Sequence, residues 1–415
     1  MALDPNKFQD FRDTVDQFAN EAAAQGVVQK YAVEGVLGEA FEELEDYFGD
    51  SRAPCLYLLG PSGVGKSSLI NALANKEVAE VGDSRATTEY AEVYDIAFPG
   101  RYSEWKVIDS RGLFESVSPD GEVPMDTVAL AKKDIQQYQP DIIIHVTTPD
   151  SIRAGANMIR SIEELRDDLG DSFPPILTCL NKVDTHAGPT TWPPDEVPSL
   201  AGTISENLEF VAEVQDVFRH SPFEVGEPLS GLKFDSKDNV GVVPTCLKTN
   251  SHWNVDQISW VIGEHLPKSA QVQYFQAQKR DDLMRKLARK LTRRYSAMAS
   301  GVGAAPTPVA DVLPLLALQL TLVGAIGTLS CREFTWGTVK EYMTAASGTT
   351  FTGLAARGLA RSLTQFIPGA GAAVSGGVAG ATTYAIGRSA EAFFFDNRTI
   401  EPAEFEDEEE IPSAD

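Results

Sequence analysis

The segment Gly60-Pro61-Ser62-Gly63-Val64-Gly65-Lys66-Ser67-Ser68 has the spacing of a phosphate-binding loop, with four residues between its first glycine and a Gly-Lys-Ser triplet. The apolar run before it, 55–59, predicts a buried strand, and 68–73 predicts the first turns of a helix. Glycine lets the backbone wrap closely, so that N–H groups and the helix N-terminus can point at one anion. A glycine-rich turn with a chance lysine is the alternative, and the strand–loop–helix order argues against it. The predicted nucleotide-binding residues here are Gly60, Ser62, Gly63, Val64, Gly65, Lys66, Ser67 and Ser68.

Two polar segments downstream could contact a terminal phosphate and its Mg²⁺. A loop at 84–90 contains Thr87 and Thr88 just before an alternating strand, and a threonine there could bind Mg²⁺ through its hydroxyl. The strand at 105–108 runs into Asp109-Ser110-Arg111-Gly112, where the aspartate can hold Mg²⁺ through water and the glycine N–H can sense the γ-phosphate. We predict that Ser67, Thr88 and Asp109 bind the metal, and that Lys66, Thr88 and Gly112 are catalytic.

A base-binding motif, Asn181-Lys182-Val183-Asp184, follows the apolar run 175–180. An aspartate at a strand end can accept from both N1–H and the 2-amino group of guanine, whereas adenine offers no amino group there. Sites built to pair with a substrate donor discriminate by about 10⁴–10⁵. We therefore expect GTP or GDP as the nucleotide. The predicted base-binding residues are Asn181, Lys182 and Asp184, together with Cys246 and Leu247 at the end of a last strand. His145, in the apolar run 141–146, is expected to be a core histidine.

The order of these motifs resembles a small GTPase domain of the Era-like and septin-like group of P-loop proteins. The resemblance covers residues 51–268 and is carried by 60–68, Thr87/Thr88, 109–112 and 181–184, with a degenerate motif near 245–247. It implies hydrolysis of GTP to GDP and phosphate with Mg²⁺ as the metal.

Two departures from this group concern hydrolysis. Leu113 stands where Ras-like enzymes have a water-orienting glutamine, and Gly63 stands where potassium-activated relatives have an asparagine. An unassisted site of this class turns over at roughly 10⁻⁴–10⁻³ s⁻¹, and a supplied arginine finger adds about 10³–10⁵. We expect slow hydrolysis that dimerisation across the nucleotide accelerates.

Both ends of the chain are rich in predicted helix. Residues 5–48 predict two amphipathic helices, whose apolar stripes are expected to pack against C-terminal helices rather than form a free membrane anchor. Residues 277–298 predict a basic amphipathic helix, whose bases are either a solvated face or a surface attracted to an anionic bilayer. Two uncharged runs follow, 312–331 and 362–387. They are either buried in a soluble helical domain or inserted in lipid as a hairpin, and the first is long enough to cross a hydrocarbon core.

The C-terminal region resembles a helical domain fused behind Era-like GTPases in bacteria, through its segments 317–320 and 376–380. The whole layout also looks like the immunity-related GTPases, a dynamin-related group. The predicted fold class is α/β, a P-loop GTPase domain with a mostly parallel sheet, plus an α-helical domain from the N- and C-terminal segments. The predicted domains are N-terminal helices at 1–50, a GTPase domain at 51–268, a C-terminal helical domain at 269–400 and an acidic disordered tail at 401–415.

Composition limits the partners. The chain of 415 residues has a formal net charge of −25, which is unfavourable for a nucleic-acid binder because phosphate neutralisation supplies most non-specific affinity. Its four cysteines have neither disulfide nor metal spacing and predict reduced core thiols. The N-terminus has no signal-peptide pattern, so we expect a cytoplasmic protein that is peripheral to, or conditionally inserted in, a membrane.

The expected function is that of a dynamin-like GTPase whose nucleotide state controls self-association and membrane binding. Its expected partners are a second copy and an anionic membrane, contacted by 277–298 and 312–387, with no nucleic acid. Two alternatives remain. One is an Era-like ribosome-assembly GTPase, which a basic RNA-binding module would favour, and the other is a soluble GTP-binding switch or scaffold with little turnover.

Overall fold

The computed structural model describes residues 7–15, 38, 40–49, 51–75, 85–86, 92–98, 103–110, 125–154, 156–186, 192–248, 251–278, 280–303, 312–347 and 376–405. The chain divides into two compact units, one of Arg52–Gln278 and one that joins Met1–Ser51 to Lys279–Asp415. The first unit thus extends to Gln278, past the expected boundary at 268. Thr88 and Gly112 lie outside the described residues.

One sheet organises the described part of Arg52–Gln278. Its strands are β1 (Cys55–Leu59), β2 (Arg85–Ala86), β3 (Glu92–Phe98), β4 (Ser103–Asp109), β5 (Ile142–Thr147), β6 (Ile176–Leu180), β7 (His220–Glu224), β8 (Glu227–Phe234) and β9 (Asn239–Pro244). Their order is β2-β3-β4-β1-β5-β6-β9-β8-β7. The four neighbouring pairs β4–β1, β1–β5, β5–β6 and β6–β9 are parallel. The outer pairs β2–β3, β3–β4, β9–β8 and β8–β7 are antiparallel. The predicted mostly parallel α/β sheet is confirmed.

Helices cover this sheet. They are α1 (Lys66–Ala74), α2 (Met125–Tyr138), α3 (Pro149–Ala154), α4 (Ala156–Leu169), α5 (Pro198–Val214), α6 (Val255–His265) and α7 (Lys268–Gln278). Every residue of β1, β5, β6 and β9 is buried, as is typical of parallel strands covered on both faces. One apolar cluster joins Tyr57 and Ile143 of the sheet to Ile135 of α2. Because the parallel strands run the same way, their carboxyl ends meet at one edge, where ligands of such sheets bind.

A hairpin of β7 and β8 extends the sheet beyond β9, and no sequence pattern above predicted it. Phe218 just before β7 is 87% exposed, and Val225 in the turn is fully exposed. Pro222 lies in β7, which is the edge strand and therefore tolerates a missing N–H donor.

The second unit is helical, with α8 (Asp281–Gly303), α9 (Val312–Leu329), α10 (Trp336–Ser347) and α11 (Gly376–Asp396). The N-terminal stripes pack onto these C-terminal elements. The ring centroids of Phe11 and Phe334 lie 4.7 Å apart, and the hydroxyl of Tyr295 donates to the carbonyl of Ala40 at 2.8 Å. The two chain ends therefore build one helical unit, as predicted.

The first uncharged run forms the interior of this unit. Residues 315–329 of α9 are all buried. The small residues of α11 allow close packing on α8, because a Cβ at Gly380 would lie 2.1 Å from the hydroxyl of Ser300. None of the helices in the described ranges has the length and apolar character needed to cross a bilayer.

Ion pairs hold three arginines of the basic helix within the helical unit. The pairs are Arg285 with Asp396, Arg289 with Glu391 and Arg294 with Glu43, with nitrogen–oxygen distances of 2.6, 2.7 and 2.8 Å. Much of the basic character of α8 therefore serves packing within the unit.

The cysteines divide into two kinds. Cys55, Cys179 and Cys246 are buried, as expected of core thiols, and burial raises the pKa of Cys55 and Cys179 to about 12. Cys331 is exposed, so the prediction of a core thiol was wrong for this residue. It lies in the turn after α9, where the apolar run ends and the side chain no longer faces the helix packing.

Candidate functional site

The phosphate-binding loop connects β1 to α1 and depends on glycine at two close approaches. Gly60 has φ of +145°, and a Cβ there would lie 2.2 Å from the carbonyl oxygen of Val146. Gly65 has φ of +108°, and a Cβ there would lie 2.3 Å from Nδ2 of Asn181. Any other residue would therefore be both strained and in collision at these positions. The loop is held against β5 and the base motif by contacts that only glycine permits.

Lys66 places its ammonium inside the loop. Its Nζ donates to the carbonyls of Gly60 at 2.8 Å and Pro61 at 3.1 Å, and lies 3.8 Å from Oδ1 of Asp109. The Lys66 side chain is only 7% exposed. A cation held in this way is less screened than a surface lysine and acts more strongly on a bound anion. Ser67 and Ser68, on the first turn of α1, are exposed.

Asn181 joins the phosphate loop to the base side of the site. It follows β6 and is buried, and its Nδ2 donates to the carbonyl of Val64 at 2.8 Å. Its Oδ1 accepts from the Leu247 N–H at 3.2 Å, in the loop after β9. The neighbouring Lys182 donates from Nζ to the carbonyl of Gly63 at 2.6 Å. One motif thus ties together two loops that are far apart in the chain.

Asp184 lies beside the thiol of Cys246. Burial is the main cause, with a smaller contribution from the neighbouring Asp184 carboxylate, of a rise in the pKa of Cys246 to about 11. The thiol therefore stays protonated and can donate to the carboxylate. Such a bond orients the carboxylate while its remaining lone pairs stay available for a ligand donor.

These loops surround a cavity of about 600 Å³ at the carboxyl edge of the sheet. It is lined by Ser62, Gly63, Gly65, Lys66, Ser67, Ser68, Asp109, Asn181, Lys182, Asp184, Thr185, Leu247 and Lys248. Among the predicted residues that the structure describes, Gly60, Val64 and Cys246 are not in the lining. They contact Val146, Asn181 and Trp253, respectively, and so help to position the loops that form it. Thr185 and Lys248 were not predicted, although each directly follows a predicted residue, Asp184 or Leu247, in the loop after a strand.

The chemistry of the lining fits Mg²⁺. The Ser67 hydroxyl and the Asp109 carboxylate both face this cavity, and oxygen donors are the ligands that Mg²⁺ prefers. Asp109 ends β4 and is 2% exposed, so its carboxylate is held in place. Few protein oxygens are needed, because Mg²⁺ in nucleotide sites is also bound by phosphates and water. Thr88, the third predicted ligand, lies outside the described residues.

Residues 56–182 match the model of the family described as 50S ribosome-binding GTPase. Arg52–Gln278 contains a P-loop GTPase domain. The matched range begins in β1 and ends in the base motif, so it spans the phosphate loop, Asp109 and Asn181. Members of this GTPase family bind GTP or GDP with Mg²⁺.

Curated relatives of this GTPase domain act in different processes. The tRNA modification GTPase MnmE of Burkholderia ambifaria is 30% identical over 182 residues, which are 41% of this chain and 35% of the relative. The small ribosomal subunit biogenesis GTPase RsgA of Caldanaerobacter subterraneus is 32% identical over 126 residues, 28% of this chain and 39% of the relative. The chain thus spans little more than a third of the length of these relatives.

Among solved structures, a probable GTP-binding protein EngB is similar to the GTPase domain. It is 16% identical, covers 51% of this chain and 97% of its own length, and has a TM-score of 0.30.

Proposed function

We propose that the protein hydrolyses GTP to GDP and phosphate, with its nucleotide in the cavity between the phosphate loop and Asn181–Asp184. The observation that carries this proposal is the pair of Asn181 hydrogen bonds to Val64 and Leu247. They hold the phosphate-binding loop and the loop after β9, residues 245–248, on two sides of one cavity, as a nucleoside phosphate requires. We call residues 245–248 the base loop. The proposed nucleotide ligands are the lining residues that the sequence predicted, with Thr185 and Lys248 added.

Calorimetry with GDP, XDP and ADP tests the site. Wild type is expected to bind GDP well and ADP at least about 10³-fold more weakly. Asp184→Asn replaces one acceptor by a donor, which matches the 2-oxo group of xanthine, so the preference should move from GDP to XDP. Asp171→Asn, at an exposed position outside the cavity lining, is the matched control and should leave both affinities unchanged. Equal binding of ADP and GDP by wild type would contradict the proposal.

In the proposed reaction, water attacks the γ-phosphate in line. The buried Lys66 ammonium and the loop N–H groups stabilise the charge that develops on the phosphate oxygens. Bound Mg²⁺ would neutralise part of that charge, held by Ser67, Asp109 and, in our proposal, Thr88. We further propose that Thr88 and Gly112 contact the γ-phosphate and that its loss releases their segments.

Turnover is proposed to be slow until a second copy docks over the nucleotide. Leu113 offers no group to orient the attacking water. Among the described residues of the cavity rim, Ser62, Gly63 and Ser67 are exposed. A partner's side chain could reach the terminal phosphate over these residues. The measurement is the turnover number per site against protein concentration at saturating GTP. A flat dependence up to concentrations at which a dimer forms would contradict activation by dimerisation.

Nucleotide-dependent self-association is the second part of this proposal. It is supported by the same exposed rim residues, Ser62, Gly63 and Ser67. We propose that a partner docks on them when a γ-phosphate is bound beneath and leaves when that phosphate is lost. Sedimentation velocity with GDP and with a non-hydrolysable GTP analogue should show a larger species with the analogue. The same sedimentation coefficient with both nucleotides would rule it out.

Membrane binding is proposed as a peripheral, electrostatic contact of α8. On this helix Lys286 and Arg293 are exposed and Lys290 is half-buried, at spacings that place them on one face. Each base near an anionic surface contributes about 1 kcal/mol. Vesicles with phosphatidylserine should therefore co-sediment wild type, and the reversal Lys286→Glu/Lys290→Glu/Arg293→Glu should not bind. Equal binding of both to anionic and neutral vesicles would contradict the contact.

A ribosome-directed GTPase is the second candidate, favoured by the description of the matching family as 50S ribosome-binding. The net charge of −25 opposes RNA binding. Co-sedimentation with 50S subunits in the presence of the GTP analogue distinguishes the candidates. Stoichiometric binding that withstands about 200 mM salt would favour the ribosome, and its absence would favour self-association. A GTP-binding scaffold with little turnover is identified by single-turnover assays that show no hydrolysis at any concentration.

A further inference from the structure

Three side chains outside the cavity lining connect the base loop to the segment that lies between the Asn181–Asp184 motif and α5. They are Trp253, Asp195 and Trp192. Trp253 pairs with Cys246 in an antiparallel bridge, in which the Cys246 N–H donates at 3.2 Å and the Trp253 N–H donates back at 2.9 Å. Cys246 immediately precedes Leu247, whose N–H bonds to Asn181. The backbone of Trp253 therefore sets the position of the base loop.

The indole of Trp253 reaches the segment between the Asn181–Asp184 motif and α5. Its Nε1–H donates to Oδ2 of Asp195 at 2.8 Å, and its ring meets the ring of Trp192 edge to face, with centroids 6.0 Å apart. Trp192 and Asp195 belong to the segment that follows the Asn181–Asp184 motif in the chain and leads into α5. One residue thus contacts both the loop after β9 and the segment after the base motif.

The partners of these rings are structurally anchored. Trp192 and Trp253 pack against the apolar cluster that includes Leu180 and Val183, which flank Asn181. Asn254, the next residue after Trp253, donates to the carbonyls of Leu229 and Pro244 at 3.0 and 2.9 Å. The bridge is therefore fixed to β8, β9 and the core, and transmits that position to the base loop.

From this arrangement, and resting on the proposed function, we infer that Trp253, Asp195 and Trp192 are positioning residues for guanine selectivity. They touch no nucleotide themselves. They hold Cys246–Leu247 at a set distance from Asp184, so that a donor-bearing base edge fits between loop and carboxylate. A base that lacks the 2-amino group loses one of the contacts that this spacing permits, so precise spacing raises the penalty for such a base.

The test compares GDP with IDP, which differ only in the 2-amino group. Trp253→Phe keeps a ring beside Trp192 but removes the N–H donor, and Asp195→Ala removes the acceptor. Both are expected to lower the GDP-to-IDP affinity ratio by about three- to tenfold, as the loss of one hydrogen bond suggests. Asp195→Asn retains an acceptor oxygen and should keep the wild-type ratio.

The outcomes separate positioning from general stability and from the proposed function. A purely structural role would weaken GDP and IDP binding by the same factor and leave the ratio unchanged, which would overturn the inference. Asp195 is exposed, so Asp195→Ala is expected to fold even if Trp253→Phe does not. If wild type itself shows no preference for GDP over IDP, the proposed function fails. If wild type prefers GDP and both Trp253→Phe and Asp195→Ala keep the wild-type ratio, only this inference fails.

Discussion

Replacement of Asn181 by alanine should damage both the stability and the nucleotide affinity of the GTPase domain. Asn181 is 2% exposed, and its side-chain amide makes two hydrogen bonds to backbone groups, at 2.8 Å to the Val64 carbonyl and at 3.2 Å from the Leu247 N–H. A third contact, from the Thr245 hydroxyl, is 3.5 Å long and lies at the limit of a hydrogen bond. The truncation removes all three at once.

The magnitude follows from the two groups left without a partner. Val64 is 3% exposed and Leu247 is 5% exposed, so water replaces the lost bonds poorly. Each buried polar group left unsatisfied costs about 1–3 kcal/mol. For two such groups we therefore expect the free energy of unfolding of the domain to fall by about 2–6 kcal/mol. The loosened loops should also weaken GDP binding by at least about tenfold, since 1.4 kcal/mol corresponds to a factor of ten.

Urea unfolding followed by tryptophan fluorescence measures the stability term. Of the five tryptophans, Trp105, Trp192, Trp253 and Trp260 lie in Arg52–Gln278, so the signal reports mainly on this unit. The matched control is Thr245→Val, which removes only the long contact to Asn181 and a bond to the Cys179 thiol, and should cost about 1 kcal/mol or less. An Asn181→Ala protein within 1 kcal/mol of wild type, with GDP affinity changed less than threefold, would refute the reasoning.

Three further predictions concern other parts of the chain. Glu391→Gln should lower the stability of the helical unit by about 1–3 kcal/mol, measured by circular dichroism melts, because it removes the charge from a carboxylate that is 5% exposed and paired with Arg289. The loss is smaller than for a fully buried pair because Arg289 is 43% exposed and water can solvate it. His145→Phe should remove part of the pH dependence of the free energy of unfolding. Burial lowers the pKa of His145 to about 4 from its usual 6.5, so between these pH values the unfolded state binds a proton that the folded state does not. Wild type should lose about 3 kcal/mol as pH falls from 6.5 to 4, and the variant should lose that much less. Gly60→Ala should reduce GDP affinity at least about 100-fold in calorimetry, because its Cβ would lie 2.2 Å from the Val146 carbonyl; affinity within threefold of wild type would contradict the strain argument.

Much of the site was predictable because its motifs are local. Gly60–Ser68 and Asn181–Asp184 are runs of consecutive residues next to apolar strands, and such runs indicate their backbone geometry by themselves. Lys248 was accessible to the same reasoning, since it continues the predicted loop at Leu247. The hydrogen bond from the Trp253 indole to Asp195 was not predictable in this way, because nothing near Trp253 in the sequence indicates it.

In the helical unit, the sequence pattern left the surroundings of two helices, α8 and α9, undecided. The charge run of α8 fits a solvated face and a membrane-facing surface equally well, and the pattern alone left both open. The structure pairs Arg289 with Glu391, a residue 102 positions away, and buries 315–329. Neither fact follows from periodicity, because a helix of this composition is compatible with lipid or with protein around it.

The sequence by itself determined the strand–loop–helix unit around residues 60–68, the presence of the Asn181–Asp184 motif after a strand, and the α/β class, since these depend on residues a few positions apart. Only the tertiary structure decided that Asn181 bonds to Val64, 117 positions earlier, that β7 and β8 extend the sheet, and that three arginines of α8 face acids of their own unit. The physical reason is that burial and pairing between distant residues depend on how helices and strands pack. Local preferences are satisfied by many such packings, and the chain's long-range contacts select among them.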